Sequence, residues 1–345
     1  MEHVDYIVPL CNMGGSDCSN RIKTLNHAME RFIDAQKDVK VTVVFVEQIL
    51  NEVHPAIIPQ LKTDLGISIR QITVKHPIFN KGWLYNIGAR NAVSDNLILT
   101  ESDIFVPNDM YFNNLLLWVK KHNTPWAFGW NKICYVNAQN TDLFFKGNKL
   151  NYRDYDRVSS PNPGSTEGGT VYFKKDFYFN SLGGASEFFL ELGGIDNEII
   201  RRAQKVSQQY LKFPQTIAHL WHPTSNVKNG KHRSDNRTLY HYTRLRPAVV
   251  TKFIKSLKVG TKEGPLSDKF CINDIVTSDP TPPPQHKYNS AFLYGKNRKK
   301  VVKVSNVSIK KPESHKSLQQ PRKIEIRSLT IRKRTASGST VIRRK

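Results

Sequence analysis

The chain has 345 residues, 39% of them hydrophobic and five of them Trp, enough to bury a sizeable core. Its four cysteines are too few and too scattered for a disulfide framework or a paired-cysteine zinc site, so both of those classes are excluded. The formal charge of +23 is unevenly spread: residues 286–345 hold 18 Lys and Arg against 2 Asp and Glu, and the remainder holds 34 against 27. A tail so charged favours acidic partners such as nucleic acid or another anionic polymer. The N-terminus opens on MEHVDYIVPL with no basic leader, and no run approaches the roughly 18 apolar residues of a membrane span. These features predict a soluble, cytoplasmic protein with no signal peptide or transmembrane segment.

In chain order, VDYIVPL (4–10) reads as a buried strand, and RIKTLNHAMERFIDA (21–35) as a helix with Ile22, Leu25, Ala28, Met29 and Phe32 on one face. VKVTVVFVEQ (39–48) is a β-branched strand. Residues 51–66 predict a short helix interrupted by prolines, and ISIRQITV (67–74) alternates as a strand. KGWLYNIGARNAVS (81–94) reads as a helix, NLILT (96–100) as a strand and 112–121 as a further helix. Strands alternating with helices over short connections predict an α/β fold with a largely parallel sheet. From 123 to 163 the pattern weakens to strands near Trp126, Trp130 and Tyr135, followed by a polar loop. Residues 168–184 read as strand then short helix, 195–209 as a helix, and TIAHLWHP (216–223) as a strand. The expected organisation is a catalytic domain over 1–262, a proline-rich linker over 263–285 (SDPTPPPQ at 278–285) and a basic, largely flexible tail over 286–345.

Ligands of open α/β sheets sit at the carboxyl ends of the strands. Three stretches fall there: the loop after IVPL, the end of VVFVEQ, and ESD at 101–103. Two carboxylates one residue apart can hold a divalent cation with one oxygen and a sugar hydroxyl with another, the cation neutralising a diphosphate leaving group. A solvated turn explains an isolated acid pair equally well.

The ordered set changes the balance. IVPL with Arg21 downstream, VVFVEQ, FNKGWLYNIGARNA, ESDIFVPND, GGTVYFKKDFYF, LGGIDNEI and HLWH occur in one order over roughly residues 4–240. This set resembles the inverting GT-A glycosyltransferases of the β-galactosyltransferase and chondroitin-polymerase type. The resemblance implies a Rossmann-like nucleotide-sugar-binding sheet flanked by helices, and a hexosyltransferase that uses Mn²⁺ (or Mg²⁺) and a UDP-sugar. By the same resemblance Asp103 ligates the metal, and His219 and His222 join it. Glu101, which stands where the family usually has Asp, contacts the donor. Phe79, Asn80 and Lys81 match the family's F-N-R segment at the nucleotide, with a point charge replacing a bidentate arginine. Arg21 and Glu47 join the nucleotide contacts, and Gly168 and Gly169 let backbone approach the donor sugar. Asp196 takes the acceptor proton, in preference to its neighbour Glu198.

Each role has a plainer counterpart. Asp196 also suits the first turn of a helix, where the macrodipole favours an acid. Positions 219 and 222 on a straight strand face opposite ways, so both His reach one metal only if the chain turns at Pro223. The acceptor implied by the resemblance is a glycan or glycoprotein. The basic tail keeps open a modified base in DNA, and a non-catalytic polyanion-binding protein on the same scaffold.

Overall fold

The computed structural model describes residues 1–12, 18–35, 38–54, 56–150, 155–161, 168–191, 193–223 and 232–279. The chain divides into two units, Met1–Asn297 and Arg298–Lys345. Residues 280–345, which hold all of the basic tail and the whole second unit, lie outside the described residues.

The first unit is built on a six-stranded sheet. Its centre is β1 (Glu2–Cys11), buried along nearly its whole length, as a strand covered on both faces must be. β1 pairs in parallel with β2 (Val39–Ile49) and with β4 (Asn96–Leu99), and β2 pairs in parallel with β3 (Ser68–Lys75). Successive β1 side chains show what covers each face. Tyr6 meets Phe32 of α1 (Cys18–Ala35) and Phe112 of α3 (Tyr111–Lys121), with ring centroids 5.0 and 5.7 Å apart. Ile7 lies against α2 (Lys81–Asn91) at Gly88, where an added Cβ would collide with its side chain. That contact explains why α2 is buried from Gly82 to Ala89 and shows no single apolar stripe.

Beyond β4 the parallel order expected from the sequence ends. β9 (Val171–Lys174) runs antiparallel to β4, and β6 (Trp126–Phe128) antiparallel to β9. A second, four-stranded sheet has the order β5 (Ile104–Phe105), β10 (Thr216–His219), β7 (Lys132–Val136), β8 (Tyr155–Ser159). The chain passes from the first sheet to the second directly after β4.

Other departures have local causes. The helix expected at 51–66 is a single 3₁₀ turn, Ile58–Gln60, with Pro59 within it. α4 (Ala138–Phe145) was expected to be loop; the Asn137 side chain caps it by accepting the Asn140 N–H at 2.9 Å. After α5 (Ile195–Ser207) come α6 (Arg233–Leu245), α7 (Pro247–Lys255) and α8 (Ile272–Thr277). The boundary expected at residue 262 is therefore too early, since Leu266 and Ile275 both pack in the core. No helix among the described residues is long and apolar enough to cross a membrane.

α5 is locked in place by a fully buried ion pair. Arg202 bonds both oxygens of Glu198 at 2.6 and 3.0 Å and donates to the carbonyls of Leu182 and Gly184 at 2.7 and 2.8 Å. Arg202→Ala strands a buried carboxylate, so it should cost about 3 kcal/mol or more of stability in chemical denaturation.

Candidate active site

The pair Glu101 and Asp103 does not simply end a strand. It forms a tight turn between β4 and β5, closed by the Ile104 N–H on the Glu101 carbonyl at 3.4 Å. The turn thus stands where the two sheets meet, with its ends held by strands of both. Tyr6 and Tyr85 fix the preceding residue, bonding the Thr100 hydroxyl and carbonyl at 3.1 Å each.

Asp103 is buried and surrounded by cations and imidazoles. β10 pairs with β5 so that His219 lies opposite Ile104, and the Leu220 N–H donates to the Asp103 carbonyl at 3.0 Å. β10 ends at His219, and the chain has left the strand before His222. That exit resolves the facing problem, and both rings reach Asp103. His222 Nε2 lies 2.9 Å from Oδ2 and His219 Nε2 lies 3.8 Å from Oδ1. Arg21 Nε stands 4.0 Å from Oδ2. Burial alone would push the Asp103 pKa up, but His219, the hydrogen bond from His222 and Arg21 outweigh it and hold the carboxyl well below the usual range.

These three residues fit a divalent cation. One ligand atom from each of Asp103, His219 and His222 lies within 4.8 Å of the others. Asp103 Oδ1 is buried with no hydrogen-bond partner among the described residues. His222 Nδ1 is 2.9 Å from the Pro223 carbonyl, which fixes the ring and turns Nε2 towards the carboxylate. One carboxylate with two imidazoles suits Mn²⁺ and the metals near it in softness.

Across a cavity of about 250 Å³ lies Asp196. It sits in the first turn of α5 but caps nothing there; its partner is Lys81, whose Nζ is 3.0 Å from each carboxylate oxygen. The third Lys81 contact is Glu101 Oε1 at 2.7 Å. Burial pulls the lysine pKa down, but Asp196 and Glu101 prevail and hold it well above its ordinary value. All three ammonium donors are thus engaged by carboxylates, and Lys81 bridges Glu101 and Asp196. The cation left facing the cavity beside Asp103 is Arg21, whose Nε is buried without an acceptor among the described residues.

The glycine pair adjoins this bridge. The Gly169 N–H donates to Glu101 Oε2 at 2.8 Å, and a Cβ at Gly168 would run into the same carboxylate. Gly169 has φ +109°, which side-chain-bearing residues rarely adopt. Gly168→Ala should displace Glu101, a side chain free enough to move without unfolding the chain. We expect an unchanged melting temperature and kcat/KM down by about 10²-fold.

Two expected site residues make structural hydrogen bonds. Glu47 is buried and accepts the backbone N–H groups of Ile57 and Ile58, anchoring the loop after β2. Asn80 is fully buried: it caps α2 through the Trp83 N–H at 2.9 Å and donates to the Glu187 carbonyl at 2.7 Å. Phe79 does line the cavity. Glu198, committed to Arg202, is removed from contention with Asp196. The sequence reading missed Glu191, which lines the cavity with φ +60° and a buried Oε2 lacking a partner among the described residues. The only cue in the sequence is an acid next to a glycine turn.

No family model matches the sequence, and no curated protein does. Among solved structures the chain is similar to a mannosyltransferase, PcManGT from Pyrobaculum calidifontis in complex with GDP-Man and Mn²⁺ (16% identity, TM-score 0.45). That match covers 71% of this chain and 64% of that one. It is also similar to S. aureus TarS in complex with UDP-GlcNAc (13% identity, 76% and 70% covered, TM-score 0.46). A third is the catalytic domain of Drosophila β1,4-galactosyltransferase 7 in complex with xylobiose (16% identity, 69% and 80% covered, TM-score 0.37). The chain spans less than two thirds of the length of the mannosyltransferase.

Proposed function

We propose that this chain is an inverting, Mn²⁺-dependent GT-A glycosyltransferase that moves a sugar from a UDP-sugar to a hydroxyl of a glycan or glycoprotein. The observation that carries the reading is a cation-binding triad, Asp103, His219 and His222, whose carboxylate lines one cavity with a separate carboxylate, Asp196. The motif order in the sequence supports it independently.

In this reading the triad holds the cation, which supplies charge neutralisation to the diphosphate. Arg21 adds its guanidinium to the same phosphates. Glu101, held by Lys81 and the Gly169 N–H, presents its carboxylate to donor-sugar hydroxyls, and Glu191 offers a second acceptor. Asp196 receives the acceptor's proton as the acceptor oxygen bonds to the anomeric carbon. On the opposite face the bond to the diphosphate breaks, and its electron pair leaves with UDP. One displacement inverts the configuration. Lys81 positions Asp196 and touches no reacting atom.

A panel of UDP-sugars, assayed for UDP release with Mn²⁺ and repeated with glycan and with DNA acceptors, tests the reading. A donor turned over faster with a glycan supports it. Turnover with DNA alone would replace the acceptor, and no turnover of any donor would reject the proposal.

A further inference from the structure

We propose that a second pocket, at the C-terminal end of α5, is a binding site for a phosphate group. The pocket measures about 310 Å³, and Arg201, Gln204, Lys205, Gln208, Tyr210 and Arg244 contribute to its lining. No Asp or Glu contributes. It therefore gathers two guanidinium groups and one ammonium with nothing to neutralise them. Among the described residues no ion pair involves Arg201, Lys205 or Arg244.

Two of the donors are buried and unused. Arg201 Nε and the Tyr210 hydroxyl are shielded from solvent and have no hydrogen-bond partner among the described residues. Buried polar groups nearly always find partners, and those that do not point to an absent ligand, water or ion. Burial pushes the Tyr210 phenol up to about 12, with Arg201 drawing it the other way. The hydroxyl therefore keeps its proton at neutral pH and remains a donor. Arg201 keeps one weak contact, from Nη1 to Gln204 Oε1 at 3.4 Å. Gln208, the C-cap of α5, holds a left-handed conformation at φ +55°, where glycine is the usual residue.

Guanidinium forks, an ammonium and a phenol together offer more donors than a carboxylate can accept, and they suit an oxyanion with three or four oxygens. Arg201 follows Asp196 by five residues on α5, roughly 7–8 Å along the axis and roughly 140° around it. A phosphate held here thus stays clear of the reacting atoms and of the metal triad. It anchors a ligand and takes no part in the chemistry, so the site stands whether or not the chain transfers sugars.

Calorimetry on the full chain, in EDTA and low salt with inorganic phosphate as the probe, tests the site. Arg201→Gln/Arg244→Gln should weaken binding by about tenfold or more, because charge-assisted bonds are lost. A control pair on α3, Lys120→Gln/Lys121→Gln, should change it by less than about twofold, as expected for diffuse surface charge. If the double variant melts early, Lys205→Gln, an exposed position, replaces it. A short single-stranded oligonucleotide separates the sources. A parallel loss assigns the pocket to phosphodiesters of a polymer, and a loss confined to inorganic phosphate assigns it to small phosphate esters. A crystal soaked with tungstate should show the ion between Arg201 and Arg244. Equal phosphate binding by the folded double variant and the unaltered chain, or tungstate only in the Asp196 cavity, would overturn the proposal.

Discussion

Asp196→Asn should leave UDP and Mn²⁺ binding intact and lower transfer by about 10³-fold, within the range that general-base help contributes. The amide keeps the size of the carboxylate but cannot take up the acceptor's proton. Its fold cost is small, since the side chain is partly exposed and caps no backbone group. The readout is the split between the two parameters, kcat falling while the donor KM holds. A variant that lost donor binding as well would place Asp196 in the nucleotide contacts and leave the proton without an acceptor.

The second large effect is expected at the metal triad. Asp103→Ala removes the carboxylate that His219 and His222 share and leaves two imidazoles beside Arg21. Mn²⁺ affinity should fall by at least about 10²-fold, and transfer with it, since ligand loss exceeds the 10–100-fold typical of outer-shell changes. His222→Ala should follow closely. His219→Ala should be milder, because its nitrogen stands farther from the carboxylate, at 3.8 Å against 2.9 Å. Electron paramagnetic resonance of free Mn²⁺ reads the affinity directly, apart from any activity.

Much of the architecture could be read from the sequence because its signals are local. β1, β2 and β3 are β-branched runs, and α1 carries a regular apolar stripe, so periodicity found all four. The second sheet escaped because β5 has two residues and β7 meets β8 across an irregular register between Tyr135 and Val136. α6 escaped for another reason. Its buried face is Asn236, Leu239, Tyr242 and Thr243, too polar to show as an apolar stripe. α7 does carry a local signal, Pro247 at its first turn ahead of Val250 and Ile254.

The site divides the same way. Asp103 and His222 stood out only as members of the ordered motif set, since a solvated turn explains an isolated acid at a strand end equally well. The partners of Lys81 could not be foreseen: Glu101 is 20 residues away and Asp196 is 115, and nothing local shows that one ammonium joins them. Glu47 and Asn80 show how two local signals coincide. Each sits at a strand end or helix start, where binding residues and backbone anchors look alike until their hydrogen bonds are seen.

The most direct test of a cation-dependent sugar-nucleotide site is calorimetric titration of UDP into the full chain, first with Mn²⁺ and then with EDTA. One saturable site is expected with Mn²⁺, at least about tenfold weaker in EDTA, and equally weak in Asp103→Ala under both conditions. Equal UDP binding in Mn²⁺ and EDTA, or binding that survives Asp103→Ala unchanged, would contradict it.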